Sequence, residues 1–234
     1  MRLTAPAATI RGFRMYAFRT SAELLEQVGL GPGILVALNA EKLARGDPRV
    51  REIVARGVGY PDGFGAVLAL RRRSLRSARI PGSDLWLQLL RRHAGHAGVY
   101  LIGGTPDVAA AAAKQLEASI PGLRLLGARD GYFEPGDVDL ILDDVERARP
   151  QIVLVAIGSP RQELLMAQLY DRWPALYMGL GGSLDVLVGR TRRAPVLLQR
   201  LGLEWAYRFA VDPRRLPRLP AYLRFAWYLA RGDL

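Results

Sequence analysis

The 234-residue, 25.8 kDa chain is long enough to bury one sizeable core, and a composition of 50% hydrophobic and 24% charged residues excludes a disordered polymer. It has no cysteine, which excludes a disulfide framework, a thiolate nucleophile and a zinc–thiolate site. Its two histidines, His93 and His96, stand three apart with no third soft ligand nearby. The formal net charge is +11, and all but two of the 33 basic residues are arginine, the exceptions being Lys42 and Lys114.

Taken in chain order, residues 10–18 read as a hairpin strand and 21–28 as a helix that Ser21, Glu23 and Glu26 favour at its start. Residues 34–38 are a continuous apolar run, expected to be a buried strand with a helix following from about Ala40. A weaker strand at 58–60 is closed by Pro61-Asp62-Gly63, and a clear one at 98–102 ends in Gly103-Gly104. The alanine-rich stretch 107–119, with Pro106 near its start, is expected to be helical. Strands at 123–127, 152–157 and 175–178 and helices at 137–149 and 160–170 complete the body. Continuous apolar strands separated by helices predict an α/β fold: a Rossmann-like, mostly parallel sheet covered on both faces. Several expected strand ends carry glycine, at Gly103, Gly104, Gly158, Gly181 and Gly182. Each reads as an ordinary turn by itself. Together, at the carboxyl ends of strands, they are the places where backbone could approach a phosphate.

The composition breaks near Arg190. From there to the end, ten arginines face three acids (Glu204, Asp212, Asp233), which is +7 of the net +11, and seven aromatics are interleaved. The organisation expected is a catalytic α/β domain over 1–190 and a basic, aromatic-rich helical appendage over 191–234. A first helical run is expected from Arg193-Ala194-Pro195 to about Val211 and a second over 219–231. Rings at headgroup depth and cations on anionic lipid suit a membrane interface. A cap packed on the sheet, or a nucleic-acid surface, uses the same residue types. No apolar run reaches the ~20 residues of a membrane span, and no cleavable leader pattern opens the chain, so a cytosolic protein is expected.

Six blocks occur in a telling order. They are Leu38-Asn39-Ala40-Glu41-Lys42, Tyr60-Pro61-Asp62-Gly63-Phe64-Gly65, Arg79-Ile80-Pro81-Gly82-Ser83-Asp84-Leu85, Gly158-Ser159-Pro160-Arg161-Gln162-Glu163, Gly181-Gly182-Ser183-Leu184-Asp185, and Arg193-Ala194-Pro195 with Leu201-Gly202-Leu203-Glu204-Trp205-Ala206-Tyr207-Arg208. In this order they resemble the WecG/TagA/CpsF glycosyltransferases (glycosyltransferase family 26), over roughly residues 15–218. The resemblance implies an inverting enzyme that moves a sugar of N-acetylmannosamine, N-acetylmannosaminuronic acid or glucose type. The donor would be a UDP-sugar and the acceptor a polyprenyl-diphosphate-linked sugar at the inner face of the cell membrane, for teichoic acid, common antigen or exopolysaccharide.

The resemblance also assigns residues. Inversion needs a base for the acceptor hydroxyl, and Asp62 matches the family's proposed base, although an Asp-Gly turn accounts for the same string. Arg79 matches an active-site arginine. Arg208, Arg215 and Arg218 match three appendage arginines thought to close over the site. Planar guanidinium groups suit a departing diphosphate. Asn39 and Gln162 match pocket residues that would bond the sugars, the glycines would line the nucleotide, and Asp185 would accept from a ribose hydroxyl or cap a short helix. Asp137-Val138-Asp139 has the form of a metal-binding Asp-x-Asp, but it follows Glu134-Pro135-Gly136 and reads as a helix start. No metal or other cofactor is therefore expected. One departure stands out: family members commonly carry threonine where this chain has Ala37.

Two other classes share parts of this composition. A Rossmann-type oxidoreductase would need G-x-G-x-x-G after the first strand, which Gly103-Gly104-Thr105-Pro106 does not supply. A nucleic-acid-binding module would rest on charge alone, without a recognisable motif, and no nucleic acid is expected among the partners. The sequence leaves the oligomeric state open, a homo-oligomer included.

Overall fold

The computed structural model describes residues 3–200, 202 and 204–233. In chain order, a hairpin β1 (Ala7–Ile10) and β2 (Phe13–Tyr16) leads to α1 (Ser21–Val28), β3 (Gly33–Leu38), α2 (Ala40–Arg45), α3 (Pro48–Arg56) and β4 (Val58–Pro61). There follow α4 (Phe64–Arg72), α5 (Gly82–His93), β5 (Gly98–Gly103), α6 (Pro106–Ser119), β6 (Arg124–Arg129), α7 (Val138–Ala148), β7 (Ile152–Ala156), α8 (Arg161–Arg172), β8 (Leu176–Gly179) and α9 (Ser183–Leu187). The chain closes with α10 (Val196–Arg200), α11 (Glu204–Val211), a 3-10 stretch at Pro213–Arg218 and α12 (Leu219–Arg231).

The eight strands form one sheet in the order β1-β2-β4-β3-β8-β7-β5-β6, parallel except for the β1–β2 hairpin. This is the α/β sheet that the apolar runs predict. The central strands are apolar at every position because successive side chains serve opposite faces. In β7, Ile152, Leu154 and Ala156 enter the core on one face, and Val153 and Val155 that on the other. A fully buried leucine or isoleucine contributes about 1.5–3 kcal/mol, so this double-sided sheet is the main source of stability.

Local signals set several boundaries. Thr20, rather than Ser21, caps α1, its hydroxyl accepting from Glu23 N–H at 3.0 Å. Asn39 caps α2 by accepting from Lys42 N–H at 3.0 Å. The helices α4 and α5 are not among the elements expected from the residue patterns. The helix α5 ends at His93, so His96 falls in the turn beyond it and the two histidines do not share a helical face. The run expected from 193 to 211 is two helices, broken around Gly202, whose φ is +73°. Leu201 itself lies outside the described residues.

Candidate active site

The sheet order creates the crevice. From β5 the chain leaves through α6 toward the edge strand β6, whereas from β7 it returns through α8 toward β8. Neighbouring parallel strands whose connections depart in opposite directions open a crevice at their carboxyl ends, the usual ligand position in open α/β sheets. Gly103 and Gly104 end β5 and Gly158 follows β7, on either side of that point. Gly103 is at φ +147°, and a Cβ there would lie 2.5 Å from the Ala156 carbonyl oxygen, so only glycine lets the two strand ends come this close. At Gly158, Gly181 and Gly182 a Cβ would meet nothing within 4 Å, which leaves their backbone open toward the crevice. The N-termini of α6 and α8 follow directly, and their amides favour an anion there. Asp185 is half-buried on the short helix α9 beyond the Gly181-Gly182 pair.

Asp62 stands at the carboxyl end of β4. Its backbone N–H donates to the Leu38 carbonyl at 3.0 Å, and its Oδ1 accepts from the N–H of Gly82, the first residue of α5, at 2.7 Å. The carboxylate is thus oriented by a backbone amide, and the residue is half-buried rather than packed into the core. Asn39 is its neighbour at the end of β3: a Cβ on Gly63 would lie 3.5 Å from the Asn39 Cβ. Asn39 Oδ1 is engaged in capping α2, which leaves the amide nitrogen for another partner.

Behind these residues lies a buried charge pair with no assigned role in the sequence reading. Lys42 Nζ donates to Glu163 Oε1 at 2.6 Å and to the Ala37 carbonyl at 2.9 Å. Glu163 is fully buried. Burial pushes its pKa up, but the adjacent Lys42 ammonium, with further hydrogen bonds from Gln162 and Ser159, brings it below the usual carboxylate value. Gln162 Nε2 donates to the same Glu163 oxygen at 3.1 Å, and Gln162 Oε1 accepts from Gly181 N–H at 2.9 Å. The Gln162 amide is therefore held in one orientation, clamping the glycine loop after β8, and it is buried. Four strand ends, those of β3, β4, β7 and β8, are tied together through Lys42, Glu163, Gln162 and Asp62.

Ala37 pairs in register with Tyr60, and its carbonyl receives Lys42. The Tyr60 hydroxyl is buried without a hydrogen-bond partner among the described residues, and a Cβ on Gly82 would lie 3.0 Å from it and 3.5 Å from Asp62 Oδ1. Burial, then the charges of Asp62 and Glu163, raise its pKa well above the usual tyrosine value, so it stays a neutral phenol. A hydroxyl from the neighbouring strand thus lies near position 37, where the side chain is only a methyl.

The C-terminal helices border the same edge of the sheet. Arg193 forms a two-pronged contact with Asp84 in the first turn of α5, with Nη2 to Oδ2 at 2.7 Å. That hydrogen bond, against some burial, and the charges of Asp84, Glu204 and Asp62 raise its pKa further. Arg79 Nη1 lies 4.0 Å from Glu204 Oε2 of α11, and Arg218 Nη1 lies 3.7 Å from Glu41 Oε2 of α2. The side chains of Arg208 and Arg215 lie outside the described residues, while their backbone belongs to α11 and the 3-10 stretch. Asp137 Oδ2 accepts from Glu134 N–H at 2.9 Å at the start of α7, a helix-opening role.

Sequence reasoning overlooked Lys42, Glu163, Tyr60, Asp84 and Arg193 as parts of this assembly. One signal was available: a lysine inside the Asn39–Lys42 block of a chain that otherwise uses arginine marks a site where a compact ammonium is needed. Among the described residues no helix is long and apolar enough to cross a membrane. The model of the Glycosyl transferase WecG/TagA/CpsF family matches residues 10–234. With an α/β sheet that opens a crevice at its switch point and this match over nearly its whole length, the chain belongs to the WecG/TagA/CpsF glycosyltransferase family, whose members act in cell-surface polysaccharide synthesis.

Proposed function

We propose that the protein transfers a sugar, with inversion and without a metal ion, from a UDP-sugar to a polyprenyl-diphosphate-linked sugar at the inner face of the cell membrane. The donor sugar is of N-acetylmannosamine, N-acetylmannosaminuronic acid or glucose type. The observation that carries this reading is Asp62: a carboxylate at a strand end, aimed by the Gly82 amide and neighboured by Asn39. In the transfer, the acceptor oxygen forms a bond to the anomeric carbon as its proton passes to Asp62. The bond from that carbon to the UDP oxygen breaks on the opposite face, and its electron pair leaves with UDP. The negative charge that develops on the diphosphate is met by the α6 and α8 N-termini and by guanidinium groups, with Arg79 and Arg218 bordering the site and Arg208 and Arg215 on the same appendage.

Membrane association is supported by the appendage. Val196, Leu197, Trp205, Val211, Leu216, Leu219, Leu223 and Trp227 are all exposed there, among a large share of the chain's arginines. Cations at an anionic lipid surface contribute about 1 kcal/mol each, so the segment holds the protein at the surface without insertion.

The test is a panel of UDP-sugars assayed against a lipid-diphosphate-sugar acceptor, with and without chelator. Transfer of one donor sugar, with inverted configuration and insensitive to chelator, is the expected result. Absence of transfer from every UDP-sugar overturns the reading, and loss of turnover with chelator overturns its metal-free part.

A further inference from the structure

The loop between α4 and α5 carries an arginine cluster of which the site described above uses only Arg79. Arg71, Arg72, Arg73, Arg76 and Arg79 fall within nine residues, and no acid occurs between Asp62 and Asp84. Arg71 and Arg72 lie in the last turn of α4, where cations suit the helix terminus. That does not account for Arg76 or for the shape of the surface. A groove of about 390 Å³ runs along the loop at its seam with α10, lined by Phe64, Val67, Arg71, Arg79, Val196 and Gln199. A second hollow of about 570 Å³ continues it past Arg71 and Arg76. Among the described residues Arg71, Arg72 and Arg76 make no ion pair. Holding unpaired like charges together is unfavourable unless an anion joins them.

The loop is built to keep its shape. Leu75 N–H reaches back to the Leu70 carbonyl at 3.0 Å, Ala78 N–H and Ser77 Oγ both donate to the Phe18 carbonyl at 2.8 Å, and Ile80 N–H donates to Pro61 O at 2.8 Å. Two of the groove's lining residues are close to Asp62 along the chain: Phe64 follows it by two residues, and Arg79 precedes by three the Gly82 whose amide bonds its carboxylate. The groove's outer end opens beside Val196 and Leu197, both more than 60% exposed.

We propose that this seam is the seat of the lipid-linked acceptor, a deepening that rests on the function proposed above. The acceptor's diphosphate lies against Arg71 with Arg76 beyond it, its first hydrocarbon units lie along Phe64, Val67 and Val196, and its sugar hydroxyl is delivered to Asp62. An occupant with an anionic head and an apolar tail is the one that fits a wall of valine and phenylalanine flanked by guanidinium groups. A free nucleotide would leave the apolar wall uncovered. A lipid bilayer surface would use the exposed arginines but not the groove.

The experiment measures binding of geranylgeranyl diphosphate to the full chain, alongside inorganic diphosphate, geranylgeraniol and phosphatidylglycerol vesicles, in wild type, Arg71→Gln/Arg76→Gln and Val196→Asp. The amphiphile is expected to bind more tightly than either of its halves. Each lost charged hydrogen bond is expected to weaken it by about tenfold or more, with Val196→Asp weakening it as well and UDP affinity unchanged in all variants. In a transfer assay the acceptor KM rises in parallel. Equal binding of geranylgeranyl diphosphate by wild type and both variants overturns the proposal. So does a loss confined to vesicle binding, which would make the loop a membrane contact only. If the wild type transfers no sugar to a lipid-diphosphate acceptor yet binds geranylgeranyl diphosphate in an Arg71-dependent way, the transfer reading fails while the groove stands.

Discussion

The sheet domain and the C-terminal helices solve opposite problems with similar residues. In the body, apolar strands are covered on both faces, and among the described residues before Arg190 only Phe64, Leu126, Tyr132 and Leu140 are exposed large hydrophobics. After Arg190, eight large hydrophobics are exposed, and Ala194 and Phe225 are the apolar side chains buried among those described. Phe225 fills a notch over Gly65, where a Cβ would lie 2.9 Å from its ring, and Tyr228 is capped by the Arg11 guanidinium at 3.7 Å. Trp205, Phe209 and Tyr222 stack among themselves, with ring centroids 5.4 to 6.0 Å apart, rather than on the sheet. The body thus closes its own apolar surface, while the appendage is pinned to it at a few points and turns the remainder outward. Catalytic geometry needs the first arrangement, and a reaction on a lipid-linked substrate is served by the second.

The sharpest division comes from pairing two changes. Asp62→Asn is expected to lower turnover by about 10²- to 10⁴-fold, the usual contribution of a general base, while leaving UDP binding and attachment to phosphatidylglycerol vesicles as they are. Ending the chain after Arg190 is expected to abolish both vesicle sedimentation and transfer, with the sheet still present by circular dichroism. Unchanged turnover in the first variant removes Asp62 from its role, and full vesicle binding by the second breaks the contrast between the two regions.

A second test lies wholly in the body. Lys42→Met leaves the buried Glu163 without its cation and is expected to cost about 3–5 kcal/mol in urea unfolding, whereas Lys42→Met/Glu163→Leu recovers most of that loss. The sign with pH follows from the direction of the Glu163 shift. Its folded pKa is depressed, so the stabilisation is complete above the ordinary value of 4.5 and is lost as pH falls through the lower folded value. The double variant should lose less stability across that acid range than the wild type.

Smaller effects probe the pins. Gly65→Ala pushes a methyl against the Phe225 ring and Ala40 and is expected to cost about 1–3 kcal/mol or to loosen α12, read as faster proteolysis after residue 200 with the sheet unaffected. Arg11→Ala removes the cation over Tyr228 and is expected to cost about 0.5–1 kcal/mol, read by the same cleavage. If neither change speeds cleavage, the appendage is held by contacts other than these.

Legibility in the sequence followed physical range. The limits of α1 and α12 match their periodicity to the residue, and β3, β5 and β7 match their apolar runs within a residue or two. Asp62 and the glycines stood out because each lies at a strand's end or within three residues of it. The helix expected across 193–211 failed because apolar spacing does not register a positive φ at Gly202. The family match singled out Gln162, whereas its bonds to Glu163 and Gly181 had no signal in the sequence.

The run of apolar strands, their double-sided burial and the position of Asp62 at a strand end were set by the sequence alone, since each depends on neighbours a few residues away along the chain. The Lys42–Glu163 pair joins positions 121 residues apart, Phe225 finds its notch across the whole domain, and the arginine groove exists only where α4 meets α10. Such contacts depend on side chains brought together by chain reversal, which no local pattern records, and only the tertiary structure decided them.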